Sequence, residues 1–422
     1  MDWWERLAGR LLGDVIERRV QQAVQVVDDR WWSQIGGAAG PNDRRWGEVQ
    51  GNLSDSLSAW RDNPLARRIV ALTTDYVVGD GLTVGSERPE VADFIRRLWD
   101  DPLNRLSLRL YAWCDELTRA GELFLVVATN PGNGLSYMRA VPAARIDQIE
   151  SDPDDLEREV RYHELIPGSV EGRWWPAAQA TTPGAGPAEP VMCHFAINRP
   201  VGAQRGESDL APLLPWLRRY REWLEDRVRV NRLRNSFLWQ VRLHHAAPAD
   251  VERKRMQYRQ PPSPGSIIVS DENEEWQALT ARLGGSDASN DGKALRLLIA
   301  AGAGLPLHFL SEGESATKAT ASEMGGPTLR HFRHRQLQFV EMLQQLVTLA
   351  AQRAISLGRL ARPPDGDLRL TSILPDLTRE DNLQLAQAMR EAAEALGLMY
   401  DRGWIDEATA IRLAFRFAGE GA

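Results

Sequence analysis

The sequence predicts an α+β chain of several parts, and three observations carry that expectation. Residues 52–200 mix short stretches of helical period with short apolar runs, separated by glycine and proline turns. After Pro215 neither glycine nor proline occurs until Pro248, and Trp216, Tyr220, Trp223, Val230 and Leu233 recur at roughly helical spacing. A second long helical stretch follows Pro327, and between the two lies a small turn-rich insertion. At 422 residues the chain is long enough for two or three domains. Its 43% hydrophobic and 26% charged residues are those of a folded chain, not a disordered one.

Charge narrows the function classes. The formal net charge is −7, so the molecule as a whole is no basic nucleic-acid binder, and any DNA contact has to be local. Lys254, Lys293 and Lys318 are the only lysines; every other basic residue is arginine, whose forked, weakly hydrated head suits interfaces. A GC-rich genome or a thermophilic host would give the same bias. Cys114 and Cys193, far apart and in apolar surroundings, read as buried free thiols. No run of about 18 apolar residues exists to span a membrane. The start MDWWERLAGRLL lacks the basic-then-apolar order of a secretory signal, so a cytoplasm-like compartment is expected.

Along the chain, Trp3, Leu7, Leu11, Val15 and Val20 stripe a helix over 1–35, which GGAAGPND then breaks. Its mixed-sign polar face fits an arm packed on protein better than a helix on a membrane surface. Asn63-Pro64 opens a helix to Tyr76, and VVGDGLTV follows as a strand with glycine turns. Helices are expected at Pro89–Trp99 and Leu106–Thr118, the latter ended by Gly121. Strands follow at Glu122–Ala128, Ser136–Pro142, Glu159–Ile166 and Val191–Ile197. Ser208 or Asp209 is placed to cap the long helix, which sets seven arginines against Glu222, Glu225 and Asp226.

Beyond that helix, Phe237–Leu243 alternates as a strand and Pro248–Arg259 is a short charged helix; SIIVS and Trp276–Leu279 are further strand candidates. Lys293–Ala303 is an apolar helix ended by Gly304-Leu305-Pro306. Ser311–Gly326 is small and polar, an unusual length of loop for a compact domain. Pro327 starts a helix to about Leu357 with Phe332, Phe339, Leu343, Leu346 and Ala350 on one face, and Gly-Gly-Pro bends any continuation from the loop. Leu368–Leu374 is a strand, and helices at Arg379–Leu396 (ended by Gly397) and Asp406–Phe417 close the chain.

Signatures of covalent chemistry fail on inspection. DASNDGKA has Asp287 where a phosphate cradle needs its first glycine, and Ala294 where it needs a hydroxyl for magnesium. GESDL offers half of a nucleophile elbow, but Leu210 replaces its second glycine. His331 and His334 could share a helix face but lack a third metal ligand nearby. Asp152, Asp154 and Asp155 read as a solvated acidic turn. No cofactor, no metal and no enzymatic activity are expected.

Several segments in their order carry a resemblance. VMCHFAIN, then the loop RGESDLAPLL running into a long helix, resembles the approach to the stem helix of tailed-bacteriophage portal proteins. NPLARRIVALTTDYVVGDGL resembles that family's early helix and glycine-turned strand, and IAAGAGLPLHFL its second stem helix and exit. The resemblance covers about residues 60–375 and lies in the order of segments more than in any one motif. It implies a portal fold: an N-terminal helical arm (1–50), a mixed α/β wing (51–207), a stem helix (208–236), a small α/β clip (237–286), a second stem helix (287–310), a tunnel loop (311–326), a long tunnel helix with a returning wing strand (327–376) and a short helical crown (377–422).

By the same resemblance the chain would form a ring, typically dodecameric, at one capsid vertex of a virion, assembled in the host cytoplasm. Double-stranded DNA would pass through its channel during packaging and ejection. The terminase large subunit and a head-completion adaptor would dock on it, with the major capsid and scaffolding proteins around it and no membrane. Ser311, Glu314, Ser315, Thr317, Lys318, Thr320 and Ser322 would face the channel; Lys318 is the only lysine or arginine between Arg296 and Arg330. Arg218, Arg221, Trp223, Arg229 and Arg232 would form stem interfaces, and Arg253, Lys254, Arg255 and Arg259 would dock partners at the clip. The rival reading is a nucleic-acid-binding module that grips a duplex with residues 216–243, Arg on phosphates and Trp or Tyr on bases. The interface reading is preferred, because a tight phosphate grip would stop a polymer that has to slide.

Overall fold

The computed structural model describes residues 42–169, 171–180, 186–235, 238–244, 246–259, 269–270, 272–279, 285–310, 318–375 and 382–417. The arm expected over 1–35, most of SIIVS and residues 311–317 lie outside them. The described residues fall into two compact units, one drawn from 1–54, 68–208 and 315–422, the other from 55–67 and 209–314.

The first unit is organised around one strand. α1 (Trp46–Asp62) and α2 (Pro64–Val77), whose residues 55–67 belong to the other unit, precede it, the second started by Asn63, whose Oδ1 accepts from the Leu65 N–H at 2.9 Å. Then come β1 (Thr83–Ser86), α3 (Pro89–Asp100), α4 (Leu106–Ala120) and β2 (Glu122–Thr129). Gly121, at φ 80, ends α4 with its N–H on the Leu117 carbonyl. β2 is buried along nearly its whole length because both its faces are covered. Leu123, Leu125 and Val127 enter a core with Phe94, Leu98, Leu110 and Trp113, while Phe124 and Val126 enter a second core with Ile146, Tyr162 and Met192.

β2 is central in an antiparallel sheet, between β3 (Ser136–Val141) and β7 (Val191–Ala196). A second antiparallel sheet runs β4 (Ile146–Asp152), β5 (Asp155–Glu164), β6 (Arg173–Pro176). Strand reading overlooked β4, whose pairing with β5 shifts register and so breaks strict alternation, and β6, which is only four residues long. α9 (Lys318–Ser356) seals the first core with Phe339, Leu343, Leu346 and Ala350. The strand expected at Leu368–Leu374 is β10 (Leu370–Ile373), and it pairs with β1 in a two-stranded sheet of its own. α10 (Asn382–Asp401) and α11 (Glu407–Phe417) complete the unit.

The second unit holds α5 (Leu214–Asn235), β8 (Leu238–Leu243), α6 (Pro248–Gln257), β9 (Glu274–Leu279), α7 (Gly285–Gly302) and α8 (Leu307–Leu310). α5 packs on α7, and β8 pairs antiparallel with β9 from Leu238↔Leu279 to Leu243↔Glu274.

Four expectations about boundaries differ from the structure. The long helix does not wait for Pro327 but starts at Lys318 with the proline inside it; Ala319, Ala321, Glu323 and Met324 are good helix formers that need no apolar face to wind. The expected loop over 311–326, with Lys318, Thr320 and Ser322, is therefore helical from 318 on. Gly397 does not end its helix; Gly403, at φ 68, stands just beyond α10, where a left-handed residue is needed. Neither Ser208 nor Asp209 occupies the cap before α5. A short 3₁₀ turn, Ala211–Leu213, leads in, and its cap position is Leu210, which offers no side-chain acceptor. α7 begins at Gly285, well before Lys293; its first eight residues are polar or small, so an apolar period marks only its second half.

Candidate functional site

The loop 198–207, which runs into RGESDLAPLL, is closely tied into the first unit. Gly121 and Gly206 cross backbone on backbone: a Cβ on Gly206 would lie 2.2 Å from the Gly121 carbonyl oxygen. The Ile197 N–H donates to Gly121, and the Glu207 N–H donates to Ile197. From the N-terminal side, Asp43 accepts from the Gln204 and Arg205 amides at 2.9 and 3.0 Å, and Arg44 pairs with Glu207 at 2.7 Å.

Beneath that loop sits a buried charge network that the sequence did not announce. The His194 side chain, 1% exposed, has its Nδ1 2.8 Å from Glu159 and its Nε2 3.2 Å from Glu122, the latter an ion-pair contact without hydrogen-bond alignment. Its ring stacks on Phe124 at 4.2 Å, its partner in the β2–β7 register. Arg205 donates from Nε to Glu122 at 3.0 Å and from Nη1 to the Ile146 carbonyl at 2.5 Å; Tyr162 donates to Glu159 at 2.6 Å, and Arg199 lies 3.5 Å from it. Burial pulls the imidazole toward neutrality, but Glu159 and Glu122 outweigh it and hold His194 up at about 9. Glu159 is held down against its own burial by His194. Two carboxylates flanking a buried ring favour its charged imidazolium, the Glu159 one by a hydrogen bond and the Glu122 one by Coulombic attraction. The network joins β2, β5, β7 and the loop electrostatically.

In the second unit the α5 arginines are largely spoken for. Arg218 pairs with Asp55 at 3.4 Å, Arg221 with Glu225 at 3.1 Å and Arg229 with Asp226 at 3.2 Å, while Arg219 lies over the Trp216 ring. Arg232 is exposed. Trp216, Tyr220, Trp223, Arg227 and Val230 form a half-buried stripe. Trp223 lies against α7 at Gly292, where a Cβ would sit 2.4 Å from the indole. Other apolar side chains stay open, Leu224 and Val228 on α5 at 43% and 50% exposure and Leu297 and Leu298 on α7 at 46% and 43%.

The clip candidates do not act alike. Lys254 is engaged by Glu274 and by the Tyr258 hydroxyl at 3.3 Å, and Tyr258 packs edge-on to Trp276 at 4.9 Å. Lys254 thus ties α6 to β9. Arg253 and Arg255 pair locally with Asp250 and Glu252, and Arg259 is exposed. Of the channel candidates, Ser311, Glu314, Ser315 and Thr317 lie outside the described residues; Lys318, Thr320 and Ser322 stand in the first turns of α9. Cys114 and Cys193 are free thiols pushed up to about 12 by burial. Among the described residues no group of three or more His, Cys, Asp or Glu side chains could hold a metal, and no helix is long and apolar enough to cross a membrane.

No family model and no curated protein sequence matches the chain. Solved structures do. A chain in the virion of the native gene transfer agent particle aligns over 92% of this chain and 98% of its own, at 16% identity and a TM-score of 0.54. A chain in the neck of that native particle, computed with C12 symmetry, gives the same coverage and TM-score at 17% identity. An HK97 family phage portal protein from Corynebacterium diphtheriae aligns over 79% of this chain and 97% of its own at 14% identity, with a TM-score of only 0.36. The chain is α+β, and over 92% of its length it shares its fold with a chain of the gene transfer agent neck.

Proposed function

We propose that the chain is a portal protein, a ring-forming subunit of the neck of a tailed-phage-like virion. The observation that carries the reading is the likeness over nearly the whole of both chains to one from a neck computed with twelvefold symmetry. It agrees with the resemblance in segment order read from the sequence. The ring stands at one capsid vertex and passes double-stranded DNA through its axis, with α5 and α7 as the stem and α9 beside the channel. The hairpin β8–β9 with α6 is the clip, which takes a terminase and later a head-completion adaptor. The protein holds and gates a conduit and does no covalent chemistry.

Electrostatics support a conduit over a clamp. The chain carries a net charge of −7, and three of the α5 arginines spend their charge on neighbouring carboxylates. A chain negative overall repels phosphate at long range, and arginines paired with carboxylates grip it less, so DNA slides. Purified full-length protein examined by mass photometry and negative-stain microscopy should give closed annuli with a central hole. A compact monomer that takes up duplex DNA stoichiometrically, with affinity falling steeply with salt, would overturn the reading in favour of the nucleic-acid module.

A further inference from the structure

One basic cluster in the first unit is left without a counter-ion. Arg109 on α4 and Arg139 on β3 both donate to a single acceptor, the Met138 carbonyl oxygen, at 2.5 and 2.8 Å. Arg109 also donates to Leu103 at 3.0 Å, and Arg105 donates to Pro102 at 3.2 Å. None of the three makes an ion pair among the described residues. The nearby carboxylate, Asp101, is turned to the Leu103 and Asn104 amides at 2.8 and 3.2 Å.

The cluster is held rigidly. Asn104 is buried and bonds Leu98, Ser136 and Met138, fixing the turn to β3. Arg105 sits at the α4 cap in the left-handed region, φ 46 and ψ 48, at the positive end of a fifteen-residue helix. Burial and the two neighbouring guanidiniums all weigh against the Arg109 charge. Beside the arginines, Leu103 and Leu108 are exposed at 59% and 67%. A phosphate chain has no use for two bare leucines; an acidic protein segment with an apolar residue of its own does.

The same unit carries such a segment. The tip of the β4–β5 hairpin presents Asp154 in the turn and Glu157 at the start of β5, both exposed and without a cation partner among the described residues, around the exposed Leu156. Asp152 and Asp155 fold back on the Asp154 and Glu157 amides, and Arg158 is taken by Asp152 at 3.4 Å. β4 runs seven residues, so the turn stands roughly 20 Å along the hairpin from Ile146. Arg139 lies on β3, an outer strand of the other sheet.

We propose that the β4–β5 turn of one copy docks on Arg105, Arg109 and Arg139 of the next. Two different patches meeting across copies make a head-to-tail contact, the kind that repeats around a ring. The inference rests on the ring reading above and names one contact within it. Such a contact sets register and partner orientation more than total affinity.

A charge swap tests it. Full-length Arg105→Glu/Arg139→Glu and Asp154→Arg/Glu157→Arg should each raise the concentration at half-assembly roughly tenfold or more by mass photometry. The chain carrying all four changes should return to within about threefold of the wild type. If thermal melting shows a swapped chain to be unfolded, Arg105→Gln/Arg139→Gln and Asp154→Asn/Glu157→Gln should shift assembly in the same direction by less. Wild-type rings that neither side perturbs, or a combined variant no better than its parents, overturn the contact and leave the ring reading standing. Loss of DNA binding by the arginine variant with assembly intact overturns it in favour of nucleic acid on the patch. A wild-type chain that never assembles removes both.

Discussion

His194 shows how one side chain can be decisive and still hard to see in a sequence. It sits within VMCHFA, a run otherwise apolar, and its partner Glu122 opens ELFLVVAT in the same way. Lone polar residues in apolar strands were the only sign. No local pairing marks them, because Glu122, Glu159 and His194 meet only after β2, β5 and β7 come together. The network makes a pH dependence with a definite sign. His194 is held up at about 9, above the 6.5 of an unfolded imidazole, so its contribution is whole below about 6.5 and is lost as pH rises through 9. Glu159 is held down, so its contribution is present above its unfolded value and fades as acid protonates it. The His194 shift corresponds to about 3 kcal/mol. Urea midpoints should fall between pH 6.5 and 9.5 for the wild type. In His194→Gln the curve should start lower and flatten over that window; a wild-type curve already flat there would remove the charged imidazole from the account.

At the scale of elements, what the sequence showed well was the helix with strong amphipathic period or a definite stop. α3, α4 and the apolar half of α9 fall where Phe94, Leu110 and Phe339 put them. Boundaries set by glycine were read less well, because a glycine's role depends on what its missing side chain would touch. Gly292 and Gly397 both lie inside helices, and the same substitution should act on them with opposite sign. At Gly397 nothing lies within 4 Å of an added Cβ, so Gly397→Ala should raise stability by about 0.5–1 kcal/mol through helix propensity alone. At Gly292 the added carbon would meet the Trp223 indole at 2.4 Å. Displacing that ring should exceed the same propensity gain, so Gly292→Ala should be destabilising by about 1–2 kcal/mol. Denaturation of the two variants side by side checks both. A stabilised Gly292→Ala would mean that Trp223 is not seated on α7.

For the whole molecule, the order of segments was legible where no single motif was. The loop RGESDLAPLL carried that order because its glycine and arginine are each required, Gly206 by the crossing with Gly121 and Arg205 by Glu122. Which surfaces meet other copies was not legible, since an apolar residue on a helix reads alike whether its partner is the same chain or the next. α5 makes the distinction only in three dimensions: the stripe through Trp216, Tyr220 and Trp223 is half-buried, and the strip through Leu224 and Val228 is open. Those two with Leu297 and Leu298 are each about half exposed, so covering all four would gain about 1 kcal/mol apiece. The ring proposed above would give these side chains cover at its junctions, which a monomer does not. Leu224→Ser/Val228→Ser should therefore leave the monomer's melting temperature within a few degrees and weaken assembly by about 2 kcal/mol, roughly thirtyfold in concentration. Serine adds no charge, so the paired Arg221 and the exposed Arg232 do not confuse the result. Assembly at wild-type concentrations by that variant would show that the ring, if formed, closes through other faces than the stem.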